Sequence, residues 1–127
     1  MVDLRGEQPV LVVADRANRR LQNFTLDGEH INFVTDEMHA PCHFHTHGKI
    51  MVLPDLESRV TLLDQNNKLI VHLGQGPGYG GLRDKTRDHF TPGPIRCAAQ
   101  RYFDQTGNIF VVEWVEVGRV TKLRKIA

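Results

Sequence analysis

Four histidines, His39, His43, His45 and His47, fall within nine residues, with Cys42 among them. Neutral imidazoles and thiolates are ligands for zinc and other transition metals. In an extended strand, positions 43, 45 and 47 share one face and Cys42, Phe44 and Thr46 the other, so His43, His45 and His47 form a single row. Alternate residues of one strand stand roughly 6 to 7 Å apart, whereas a metal draws its ligands from several elements. The expectation is therefore a row of solvated or hydrogen-bonded side chains and no cofactor. The alternative is a zinc or other divalent metal site completed by Cys42, His72, His89 or a second copy of the chain.

A second set of chemical residues recurs. Asp15 precedes Arg20, Asp55 precedes Arg59, and Glu113 precedes Arg119, each pair flanking a short polar or turn-forming stretch. A carboxylate so placed accepts turn amides, and the arginine pairs with it or reaches a neighbouring element. A catalytic pair is needed once, whereas this pair occurs three times, so the expected role is structural. Gly76 to Gly81 matches G-x-G-x-x-G in letters, but no strand, helix and second strand surround it as a dinucleotide site requires. No phosphate loop, nucleophile elbow or zinc-protease motif occurs either.

The elements that carry these residues repeat with the arginines. Leu11–Asp15 leads to Arg19–Phe24, Ile50–Asp55 to Arg59–Leu63, and Ile109–Trp114 to Arg119–Leu123. Arg20 to Arg59 is 39 residues and Arg59 to Arg119 is 60. Removing the Gly- and Pro-rich stretch 74–93, roughly 20 residues long, restores a period near 40. Turn chemistry extends each copy: Gly48-Lys49 and Asp104 to Asn108 upstream of the copies, Asp27-Gly28 and Gln65 to Asn67 downstream. No segment holds a helical period with caps. The expected fold is all-β, with four antiparallel strands per repeat: about 1–38 for the first, 39–73 for the second, an inserted loop over 74–93, and 94–127 for the third. The first repeat has only Val2 to Leu4 as its innermost strand, and the third at most Lys125 to Ala127 as its outermost.

Short strands at this spacing describe a β-propeller blade. Val12-Val13-Ala14-Asp15 with Asn18 and Arg20-Leu21-Gln22, the Phe103-Asp104 to Gly107-Asn108 turn, and Val111-Val112-Glu113-Trp114 resemble NHL-repeat propellers from roughly Val10 to Leu123. The resemblance implies rings of about six blades. Pro41-Cys42-His43 and Pro94-Ile95-Arg96 depart from the Pro-His-Gly usual in that family. A related propeller, peptidyl-hydroxyglycine amidating lyase, binds metal in its channel through histidines of different blades, which is what the metal alternative would imitate as a lyase or hydrolase.

Three blades cannot close a ring. An open half-ring leaves the apolar faces of its end blades in water, so the expected partner is a second copy, a homodimer completing six blades. The expected function is a non-catalytic scaffold and interaction module. A protein or small-molecule ligand would sit at the channel mouth, with Tyr79, Arg83, Lys85, Arg87 and His89 of the glycine-rich loop as contact candidates.

Composition narrows the partners. The 127 residues carry 16 Lys+Arg against 15 Asp+Glu, a net charge of +1, with no interleaved aromatic residues beside the basic ones, so nucleic acid is not expected. At 40% hydrophobic residues the chain has material for an ordinary core but no apolar run of membrane-spanning length. Two cysteines and no leader-like N-terminal stretch give a cytoplasmic expectation.

Overall fold

In the computed structural model, which describes residues 1–57, 59–75, 86–89, 92–95 and 98–126, eleven strands form three separate antiparallel sheets. The first, blade 1, holds β1 (Val2–Asp3), β2 (Val10–Asp15), β3 (Arg20–Phe24) and β4 (His30–Val34) in sequential order. Blade 2 holds β5 (His45–His47), β6 (Ile50–Asp55), β7 (Arg59–Leu63) and β8 (Leu69–Leu73). Blade 3 holds β9 (Ala98–Phe103), β10 (Ile109–Glu113) and β11 (Arg119–Leu123), three strands among the described residues, and Arg124–Ile126 continue without strand pairing. The remaining regular pieces are single 3-10 turns at Arg16–Asn18 and Arg87–His89, and no described helix is long and apolar enough to cross a membrane.

Turn chemistry sets the hairpins. Asp104 Oδ1 accepts the amides of Thr106 and Asn108, and Asp64 Oδ1 those of Asn66 and Lys68, each closing an Asx turn. The chain then reverses through a positive φ, 86° at Gly107 and 60° at Asn67. Four hydrogen bonds from Asn108 and Thr106 hold the Asp104 carboxyl far below the ordinary carboxylate range. Pro54 lies within β6 but beyond the reach of β5, whose register ends at His45↔Val52, so its missing N–H costs the ladder nothing there.

The blades stack face against face. Val12 and Leu21 of blade 1 meet Met51, Leu53 and Leu63 of blade 2 in one cluster, with Met38 and Phe44. Val52 and Val60 on the opposite face of blade 2 meet Ala98, Ile109 and Val111 of blade 3, with Ile95. The two central strands of blade 2 are therefore buried on both faces, which is why residues 50–54 read as a continuous apolar run rather than an alternating one.

Antiparallel order puts all β2–β3-type turns at one end of the stack. Residues 16–19 and 114–118 and the described part of the β6–β7 turn lie at that end, and the β4–β5 connection crosses there too. Leu56 and Val115, from the turns of blades 2 and 3, pack together with Ala40, Cys42 and Val117 and form a small apolar rim.

Candidate functional site

The histidine row lies where blade 2 meets blade 3. His45 and His47 share a face of β5 with Val52 opposite His45, the side that packs on blade 3. The His47 ring centroid lies 5.2 Å from that of Phe103, His45 lies 6.1 Å from Phe103 and 5.9 Å from Tyr102, and His43 lies 6.3 Å from Tyr102. The Phe103 amide donates to His45 Nδ1 at 3.4 Å, which requires that nitrogen to be unprotonated. Partial burial, then the Arg101 guanidinium, then His47 push the His45 pKa down. Burial, Arg101 and His45 do the same to His43.

Arg101 is the dominant charge of this region. It is 0% exposed, and its Nη2 donates to the carbonyls of His43 and Val52 across the blade junction. Its Nε and Nη1 have no hydrogen-bond partner, and burial lowers its pKa well below that of a free guanidinium. A resident cation beside neutral imidazoles works against a metal dication. Nor are the other candidate ligands gathered: His72 bonds Glu37 at 2.8 Å and Thr61 at 3.0 Å, His89 lies 3.4 Å from Asp88, and Cys42 Sγ receives Arg16 at 3.8 Å and donates to the Ala40 carbonyl. Among the described residues no three His, Cys, Asp or Glu side chains are grouped to hold a metal.

The carboxylate–arginine pairs tie incoming chain to blade. Asp55, buried, accepts the amides of His39, Ala40 and Glu57, and Arg59 Nε stands 3.4 Å from it while Arg59 Nη2 donates to the Glu37 carbonyl. Glu113, also buried, takes two bonds from Arg119 and one from Thr121, and Arg119 Nη2 donates to the Pro94 carbonyl. Glu37 and Pro94 both lie in the segments entering blades 2 and 3. In blade 1, Asp15 takes bonds from Arg20, Asn18 and Gln22, whose donors hold its carboxyl below the usual range. Arg20 lies with its guanidinium 3.9 Å from the Phe33 ring centroid.

The apolar rim contains a shallow depression of about 400 Å³ lined by Arg16, Ala40, Leu56, Glu57 and Trp114. Of the loop candidates, Arg87 donates to the Val117 carbonyl at 3.5 Å, which places it beside this rim, and His89 bonds Thr86 within its own turn. Tyr79, Arg83 and Lys85 lie outside the described residues.

The two end faces are the remaining candidate surface. Anchored on Asp15, Asp55 and Glu113, Val13 occupies the position of Leu53 and Val111, and anchored on the arginines, Val120 occupies the position of Leu21 and Val60. Leu53 is 1% exposed and Val111, Leu21 and Val60 are 0%, yet Val13 is 41% and Val120 64% exposed. Phe33 on blade 1 and Tyr102, Val112 and Trp114 on blade 3 are exposed as well.

Sequence reasoning named the pairs and the histidines but not Arg101 or Val120. Extending the β5–β6 register places Phe44 opposite Leu53, the position that Arg101 holds opposite Val111. Aligning the repeats to that depth would have set an arginine in line with a core phenylalanine, and Val120 in line with two core residues. No family model and no curated protein matches the chain.

Proposed function

We propose that the chain is a non-catalytic scaffold and interaction module of the β-propeller kind, resembling NHL-repeat propellers, and that two copies associate to close a six-bladed ring. The observation that carries this reading is the pair of end faces: repeat positions that are sealed inside both blade junctions lie in water at Val13 and Val120. A soluble chain rarely leaves the apolar side of a sheet in water, and here each end exposes apolar side chains, Val13 and Phe33 on blade 1 and Val112 and Val120 on blade 3. The three carboxylate–arginine pairs fit the same reading, because two of them bind main-chain groups between blades and none points two free carboxylates at a cleft. Ligands of the module would meet the rim around Leu56, Trp114 and Arg16.

Mass measurement in solution tests it. The expected species is about 29 kDa, twice the 14.5 kDa of one chain. A single-chain mass that persists at hundreds of micromolar overturns the self-association reading.

A further inference from the structure

Resting on that self-association, we infer that two copies join head to tail: the blade 1 face of each copy packs on the blade 3 face of the other. Every junction inside the chain joins two unlike faces. One is the face a blade turns to its successor, formed by Val12 and Leu21 in blade 1 and by Val52 and Val60 in blade 2. The other is the face a blade turns to its predecessor, formed by Met51, Leu53 and Leu63 in blade 2 and by Ile109 and Val111 in blade 3. Two faces remain uncovered, one of each kind. Leu11, Val13, Gln22 and Phe24 occupy predecessor-facing positions of blade 1, and Phe110, Val112, Val120 and Lys122 occupy successor-facing positions of blade 3. The complement of each open face is thus present on the same polypeptide, and its pattern is written twice in the core.

Like-with-like pairing lacks this support. Neither junction inside the chain joins two successor-facing or two predecessor-facing surfaces. In the single chain two cations lie across the aromatic rings of the faces, Arg20 over Phe33 at 3.9 Å and Lys122 over Phe110 at 5.0 Å. Joining the faces needs these side chains to swing aside.

The junctions also say which residues meet. Leu21 and Leu53 belong to one cluster and Val60 and Val111 to the other, so the equivalent pair across the joint is Val120 of one copy with Val13 of the other. Both are exposed, so substitution there leaves each blade's own packing intact.

Thiol cross-linking reads the arrangement directly. In a background with Cys42 and Cys97 replaced by alanine, Val13→Cys and Val120→Cys are made singly and together, then treated with a short bis-maleimide. Mixing the two single variants is expected to give a cross-linked pair, each single variant alone is expected to give none above a Lys68→Cys control, and the double variant is expected to give a closed, doubly linked dimer. Cross-linking within either single variant, or a dimeric wild-type mass without the mixed product, overturns the head-to-tail joint. A single-chain wild-type mass with no product in any sample overturns the self-association reading itself.

Discussion

Removing the Asp55 carboxylate should cost the fold far more than removing the same group at Asp15, although the two stand at equivalent places in the repeat. Asp55 accepts three backbone amides, of His39, Ala40 and Glu57, and faces Arg59 at 3.4 Å with both side chains buried. Each net hydrogen bond is worth about 1 kcal/mol, and a buried ion pair broken by loss of one partner costs about 3 to 5 kcal/mol because the other charge is stranded. The contributions overlap, so Asp55→Ala is expected to cost roughly 4 kcal/mol, a large share of the roughly 6 to 19 kcal/mol typical of a chain this long. With a urea dependence of about 1.5 kcal/mol per molar, the midpoint should fall by roughly 2 to 3 M. Asp15 accepts only side-chain donors, on a face open to water in the single chain, so Asp15→Ala should barely move the midpoint at dilute protein. Urea unfolding followed by far-ultraviolet circular dichroism measures both. Equal shifts for the two variants would refute the reasoning that burial and capture of the 37–40 segment, not the pair itself, determine its worth.

Arg101→Met keeps the stem and removes a buried charge whose Nε and Nη1 are unpartnered, so the variant should be as stable as the parent or more so, by about 1 to 4 kcal/mol on the precedent of apolar replacements of buried charges. A marked loss of stability by the same urea assay would show that the bonds to His43 and Val52 outweigh that desolvation. His45, with its pKa lowered by burial first and Arg101 second, should titrate by NMR below the ordinary imidazole value of about 6.5. The unfolded chain binds that proton more readily than the folded one, so the stability it contributes is complete above about pH 6.5 and is lost as pH falls toward the folded value. His45→Gln should flatten the pH dependence of stability between those two values, and an unchanged slope would count against burial of His45 beside Arg101 as its source.

Most of the sheet layout was legible because the signals for it are local. The Asp or Glu before each turn and the Arg after it delimit β2–β3, β6–β7 and β10–β11, and Asx-forming Asp64 and Asp104 mark two hairpins. The alternation that sets His45 and His47 on one face of β5 was legible for the same reason, while His43 precedes the strand. Their surroundings were not, since Tyr102 and Phe103 come from β9, more than fifty residues further along, and meet the row only when blade 3 stacks on blade 2. The same holds for the partners of the carboxylate–arginine pairs: the spacing shows that a turn is braced, but not that Asp55 reaches back to His39 and Ala40 or that Arg119 reaches Pro94. Arg101 escaped notice because a lone arginine in an alternating strand reads as solvent-facing, and only the neighbouring blade makes its side a buried one.

Geometry also decides how far such end faces can carry assembly. A face of three or four strands, five residues long, spans roughly 250 to 320 Å² at about 4.8 Å between strands and 3.4 Å per residue. One joint therefore buries on the order of 500 to 600 Å² counting both sides, about the size of a lattice contact. If a little over half of that is apolar, the gain is about 7 to 8 kcal/mol at 25 cal/mol per Å², comparable with the roughly 4 to 15 kcal/mol lost when two bodies become one. A second joint between the same two copies adds its burial without a second loss of that freedom. In the proposed ring, two copies closed on each other would then hold where a chain of copies joined one face at a time would not, provided the blades turn enough for both joints to form together. That makes the closed dimer all-or-none: Val120→Arg, which spoils both joints through one residue per copy, should abolish association entirely and leave no open, singly joined pair in a sedimentation velocity profile.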